Sequence, residues 1–176
     1  MNEIDRRHVV RALVTGGAAI GAAITAQETA GAAPAALAMK DLKKETEAAC
    51  VYHCDFGDTM RFSQLLRNIG NHLAVYNNDP NVLKIVIVAH SAGIKFFLAD
   101  LVGTPWAEDQ IDPELNKRMN ALSQLGVEVY LCRVTFASLK IDPAKARSDS
   151  YIKFVPSGIA TAAALQGKGF AYLKVG

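Results

Sequence analysis

Leu125-Gly126-Val127-Glu128-Val129-Tyr130-Leu131-Cys132-Arg133-Val134-Thr135 is the stretch whose reading decides the fold. Gly126 stops a preceding helix. Val127, Val129 and Leu131 then alternate with Glu128 and Tyr130, and β-branched residues in a period of two favour a strand. Cys132 is the first residue past that strand, and a cation, Arg133, follows at once. In an open α/β sheet, ligands bind outside the carboxyl ends of the strands. A thiol at that position is placed for reaction rather than for packing.

Working outward, the same alternation of strand and helix recurs. Cys50 to Asp55 reads as a first strand, and Asp58 or Thr59 caps a helix from about Met60 to Tyr76, with Phe62, Leu65, Leu66, Ile69, Leu73 and Tyr76 on one face. Leu83 to Ala89 is apolar almost throughout, as a central parallel strand buried on both faces should be. A short helix is expected over Ile94–Leu101. Asp112-Pro113 starts another that runs to Gln124, with proline at its first position. After the opening strand come a helical turn at Phe136–Leu139, a weak strand at Tyr151–Val155, a small-residue helix at Ser157–Gln166 and a last strand at Gly169–Val175. Strands alternating with helices imply right-handed crossovers and a parallel sheet. The expected fold is a three-layer α/β/α domain with a five-stranded parallel sheet.

The chain has 176 residues, enough for one domain, and is 51% hydrophobic with a net charge of +2. Its Lys and Arg residues are scattered, so the basic footprint of a nucleic-acid-binding protein is missing. The first residues do not read as part of the fold. Arg6-Arg7, two apolar residues and Arg11 look like a twin-arginine export signal, followed by a weakly apolar Ala/Gly run from Ala12 to Ala26 and a small-x-small cleavage site at Ala36-Leu37-Ala38. That run is too short and glycine-rich to span a membrane stably. Residues 1–38 are therefore expected to be a cleaved signal and 39–176 the domain, with the mature protein periplasmic and not held in the membrane.

Four strand exits carry polar or reactive groups: His53-Cys54-Asp55, His90-Ser91, Cys132-Arg133 and Pro156-Ser157-Gly158. Cys132 reads as a reactive thiol, because a neighbouring cation favours thiolate; its alternative is a small buried hydrophobe. Arg133 is either an anion-stabilising group or a solvated surface charge. Cys50 and Cys54 lie ~13 Å apart along one strand, beyond the ~7 Å Cα limit for a disulfide, so they do not pair there. Cys54 belongs to the site or to the core. His90 is an acid/base partner or a structural histidine. Ser157-Gly158 at a helix start binds an anion through backbone N–H groups or is an ordinary cap. Ala89-His90-Ser91-Ala92-Gly93 resembles a nucleophile elbow. That arrangement needs a histidine downstream of the serine, and none follows Ser91. A metal on His53, Cys54, His90 and Cys132 is chemically conceivable. No closely spaced ligand pair is exposed on one helix or knuckle, so neither a metal nor a cofactor is expected.

Several segments together carry a family resemblance: Asn68-Ile69-x-Asn71; Lys84 to His90 followed by Gly93; Gly126-Val127-x-Val129-x-x-Cys132-x-x-Thr135; Val155-Pro156-Ser157-Gly158; and Leu165-Gln166-x-x-Gly169-Phe170-Ala171-Tyr172. They resemble the DsrE family and its exported DsrE/DsrF-like branch. The resemblance implies a DsrE-like fold assembled as trimers or hexamers, and a cysteine that carries sulfur as a persulfide. Cys132 matches the cysteine of the branch motif Gly-Val-x-x-x-x-Cys-x-x-Thr, whereas Arg133 and Val134 depart from the polar Asn often found before the Thr. The expected function is a periplasmic sulfur carrier or sulfurtransferase. Cys132 and His90 would do the chemistry, Arg133, Ser157, Gly158 and Cys54 would bind the sulfur, and donor and acceptor thiols or proteins would be the partners. The alternative is a non-catalytic oligomeric module that binds a small anion or a partner protein. A weaker third reading is a redox pair of Cys54 and Cys132.

Overall fold

A computed structural model describes residues 33–176. The twin-arginine motif falls outside the described residues. In chain order the elements are β1 (Ala35–Ala36), β2 (Ala48–Cys54), α1 (Thr59–Val75), β3 (Leu83–Ala89), a 3-10 segment (Ser91–Phe97), α2 (Pro113–Gln124), β4 (Glu128–Cys132), α3 (Arg133–Ser138), β5 (Ile152–Val155), α4 (Gly158–Gly167) and β6 (Ala171–Lys174). The strands form one parallel sheet in the order β1-β5-β4-β3-β2-β6.

The sheet thus has six strands, not the five expected. The five anticipated segments are all present. The sixth is the two-residue β1, whose Ala35 and Ala36 pair with Lys153 and Phe154. Two alanines have no period to read, and they lie ahead of the expected cleavage site. Cleavage after Ala38 would remove this edge strand. Two further boundaries moved. The helix expected over Ile94–Leu101 is a 3-10 segment over Ser91–Phe97, and Cys132 is the last residue of β4 as well as the N-cap position of α3.

The helices start where their caps are. The Asp58 carboxylate accepts from the Arg61 N–H at 2.7 Å to open α1, and Asp112 accepts from Glu114 N–H at 2.9 Å to open α2 with Pro113 in its first turn. Helix α2 ends into Gly126 at φ +85°, where a Cβ would lie 2.7 Å from Pro80 Cβ. Both the backbone angle and the close approach call for glycine.

Alternation along the strands divides the core in two. Cys54, Ala89 and Leu131 occupy one lateral row of the sheet and pack with Phe62, Leu65 and Ile69 of α1 and Met119 and Leu122 of α2. Val51, Val86, Val88, Tyr130 and Val155 point to the other face, against Leu165 of α4 and Phe170. Successive strand residues face opposite sides. Cys132, one past Leu131, therefore falls on the α4 face, as does His53, which sits in register with Val88.

Candidate functional site

A cavity of about 500 Å³ opens at the carboxyl ends of the strands. Its lining comes from four places. His90, Ser91 and Ala92 leave β3; Pro105 and Trp106 come from the loop before α2; Cys132, Val134, Thr135, Ser138 and Leu139 come from the end of β4 and α3; Ser157 and Ile159 come from the start of α4. Cys132 is 4% exposed, a recessed thiol in the cavity wall.

Gly158 sets how close these groups come. A Cβ at this position would stand 3.0 Å from His90 Cβ and 3.2 Å from Cys132 Cβ. Only a residue without a side chain lets α4 start between the histidine and the cysteine. Ser157 caps the helix, with its hydroxyl accepting from Ala160 N–H at 3.4 Å. Gly93 plays a comparable part behind the cavity, where a Cβ would fall 2.1 Å from the Cys54 carbonyl oxygen.

His90 is tied into a chain of polar groups. Its Nδ1 meets Ser91 Oγ at 2.9 Å, and its Nε2 faces His53 Nε2 at 2.5 Å. His53 Nδ1 in turn meets the Tyr172 hydroxyl of β6 at 2.6 Å. Ser91 reaches His90 from a left-handed backbone, φ +50°, and its N–H donates to Thr135 Oγ1 at 3.0 Å. A non-glycine residue in that region is strained, and the bonds to His90 and Thr135 hold the serine there. Beyond the two rings, Asp55 is paired with Lys174 at 2.7 Å. Burial lowers the pKa of His53 below the usual imidazole value. His90 and Lys174 push the same way, and Asp55 opposes them. Burial likewise lowers His90, with Asp55 opposing and Lys174 reinforcing. Both shifts favour the uncharged imidazole.

The structure therefore brings together Cys132, His90, Ser157 and the backbone of Gly158, as the strand exits suggested. It does not bring Arg133 or Cys54 to the cavity. Arg133 is exposed, and its guanidinium lies over the Phe154 ring at 4.9 Å. Phe154 belongs to the core face opposite His53. Cys54 is fully buried, and burial pushes its thiol pKa far up, with Asp55 adding to the effect. β3 separates the strands of Cys54 and Cys132, and the two thiols face opposite sides of the sheet. All three cysteines are free thiols.

Trp106, from the loop before α2, and the Tyr172 hydroxyl of β6 carry no motif in the sequence, and only the fold brings them to this end of the sheet. His53 is buried, as alternation along β2 predicts, and 6% exposed. Register shows what alternation alone could not. The buried side chain points along the α4 face toward His90.

Comparisons with known proteins agree with this architecture. Residues 57–175 match the profile of the DsrE/DsrF-like family. The chain is similar to MTH1491, a protein of unknown function from Methanobacterium thermoautotrophicum, at 21% identity and TM-score 0.56, over 72% of this chain and 98% of that one. It is also similar to the ychN protein from E. coli at 14% identity and TM-score 0.45, over 73% of this chain and 98% of that one. No curated protein matches the chain.

Proposed function

The chain belongs to the DsrE/DsrF-like family, which is associated with sulfur relay in general, and on that premise we propose that Cys132 carries sulfane sulfur as a persulfide. The observation that carries the reading is the position of Cys132. It is the one cysteine of the three in the cavity wall, at the carboxyl end of a parallel strand and against the start of α4. Cys132 as thiolate attacks the outer sulfur of a donor persulfide. A bond forms between Cys132 Sγ and that sulfur, the donor's S–S bond breaks, and the donor thiolate leaves with the electron pair. An acceptor thiolate then attacks the outer sulfur of the Cys132 persulfide and returns the Cys132 thiolate. Neither exchange changes the overall oxidation state. We assign the proton of the Cys132 thiol to His90, which lines the same cavity and is oriented by Ser91. The first turn of α4, which begins at Ser157-Gly158, presents its positive end to the anionic sulfur.

A second reading, a binding module, is favoured by a separate observation. Val134, Leu139 and Ile159 line the cavity and are 54%, 37% and 60% exposed. Apolar side chains at a cavity mouth suit a protein partner or another copy of the chain, and we place the trimer or hexamer contact there. Arg6-Arg7 and the small residues Ala36 and Ala38 support export by the twin-arginine route and a periplasmic location. Among the described residues no helix is long and apolar enough to cross a membrane.

Transfer of labelled sulfur tests the function. The protein is loaded with isotopically labelled polysulfide, freed of excess and mixed with a small acceptor thiol. Sulfur carriage predicts label on the acceptor from the native protein and none from Cys132→Ser. Equal transfer from both, or none from either, contradicts it.

A further inference from the structure

Beside the cavity, three ligand-type side chains converge in an arrangement that the sulfur chemistry does not require. One ligand atom from each of His53, Asp55 and His90 lies within 4.8 Å of the other two. The residues come from the ends of two adjacent strands, β2 and β3, so the sheet itself holds them in place. His53 lies in β2, Asp55 is the first residue past its end, and His90, the first residue past β3, closes the triangle.

The two imidazoles are oriented as metal ligands are. Each has its Nδ1 occupied by a hydroxyl, Tyr172 for His53 and Ser91 for His90, which leaves both Nε2 edges turned toward one point. A ligating histidine typically donates its second N–H to such an oxygen, which fixes its tautomer and its angle. Both hydroxyls can accept that bond. Asp55 supplies the third donor, and the Lys174 ammonium holds its Oδ2 at 2.7 Å.

We propose that His53, His90 and Asp55 form a binding site for a borderline divalent transition ion of the zinc class. Two imidazole nitrogens and one carboxylate oxygen suit zinc, nickel or copper. Calcium and magnesium prefer sets made of oxygens. Three protein ligands leave a fourth position for water or an exogenous ligand. Zinc–nitrogen bonds of about 2.0 Å at a tetrahedral angle hold the two nitrogens ~3.3 Å apart, so the rings part by less than ~1 Å on binding. An ion there occupies His90 Nε2, so the metal-bound protein and one that takes a proton on that atom are alternatives. The site itself does not depend on sulfur carriage.

The test is calorimetric titration of tag-free protein with zinc chloride alone, after chelator treatment. The account predicts one ion per chain, at least ~10-fold weaker binding in Asp55→Asn and in His90→Gln, and about 10-fold weaker in Tyr172→Phe, which removes only the bond that orients His53. Tyr172 and Asp55 are not core residues, so these two variants keep the fold, which circular dichroism checks. Cys132→Ser binds zinc as the native protein does. Magnesium in place of zinc gives no saturable heat. The proposal is overturned if zinc shows no saturable binding below ~1 mM, if Asp55→Asn and Tyr172→Phe both bind as tightly as native protein, or if Cys132→Ser abolishes binding. None of these results bears on whether Cys132 accepts sulfur.

Discussion

The cysteine and the glycine that faces it are the residues on which the site turns. With Gly158, His90 and Cys132 flank the start of α4; with any side chain there, one of them has to move. Gly158→Ala places a methyl 3.0 Å from His90 Cβ, and overpacking of this kind costs about 1–3 kcal/mol. Denaturant unfolding should show that loss, and thiol alkylation should show a changed rate at Cys132 in the still-folded fraction. Cys54 behaves in the opposite way. Fully buried and with its pKa pushed up, it should resist a small alkylating agent at neutral pH until the fold is lost, while Cys132 reacts. Equal labelling of the two thiols in native protein would contradict the placement of the site. The place of Cys132 at the end of β4 was legible in the sequence, because a strand of alternating residues ends there. The position of Arg133 was not. Arg133 is the first residue of α3, and its guanidinium lies over the Phe154 ring, away from the cavity.

At the scale of elements, β4 is held in the sheet by more than its backbone. Glu128 at its start is bridged to Lys84 of β3 at 3.1 Å and to Lys153 of β5 at 2.5 Å, and accepts a bond from the Tyr130 hydroxyl at 2.8 Å. Burial alone would raise the pKa of Glu128. The bonds from Lys153 and Tyr130 and the charge of Lys84 outweigh it and hold the carboxyl below its ordinary value of 4.5. A depressed carboxyl contributes stability that is fully present above the unfolded value and is lost as pH falls from there through the folded value. Acid unfolding of the native protein should therefore begin below about pH 5. Glu128→Gln should be less stable at pH 7 by about 1–3 kcal/mol and should lose less between pH 5 and pH 3. Identical pH profiles for the two proteins would refute this. The elements were largely legible in advance, because β3 is apolar but for Lys84 and α1 has an unbroken apolar face. The 3-10 segment after β3 was not, since Ser91 begins it in a left-handed conformation that only the contacts to Thr135 and His90 explain.

At the scale of the whole molecule, sequence pattern supplied strands and helices but not their order in space. The order β1-β5-β4-β3-β2-β6 puts β3 between the strands of Cys54 and Cys132 and so removes the redox pair. The same order brings His53 beside His90, which no spacing along the chain could reveal. The proposed export concerns the whole chain as well. If Arg6-Arg7 directs it, replacing both with Lys should leave the protein in the cytoplasmic fraction, and unchanged fractionation would disprove the twin-arginine route. Cleavage after Ala38 would also remove β1, whose neighbour Leu37 donates its N–H to Phe154 O at 2.7 Å. Protein lacking residues 1–38 should stay folded and lose only about 1 kcal/mol per backbone bond removed. The central claim is that Cys132 takes up sulfur, and intact mass after incubation with polysulfide tests it most directly. The account predicts a gain of roughly 32 Da per sulfur atom on the native protein, reversed by a thiol reductant and missing in Cys132→Ser. No added mass on the native protein, or the same added mass on Cys132→Ser, would contradict it.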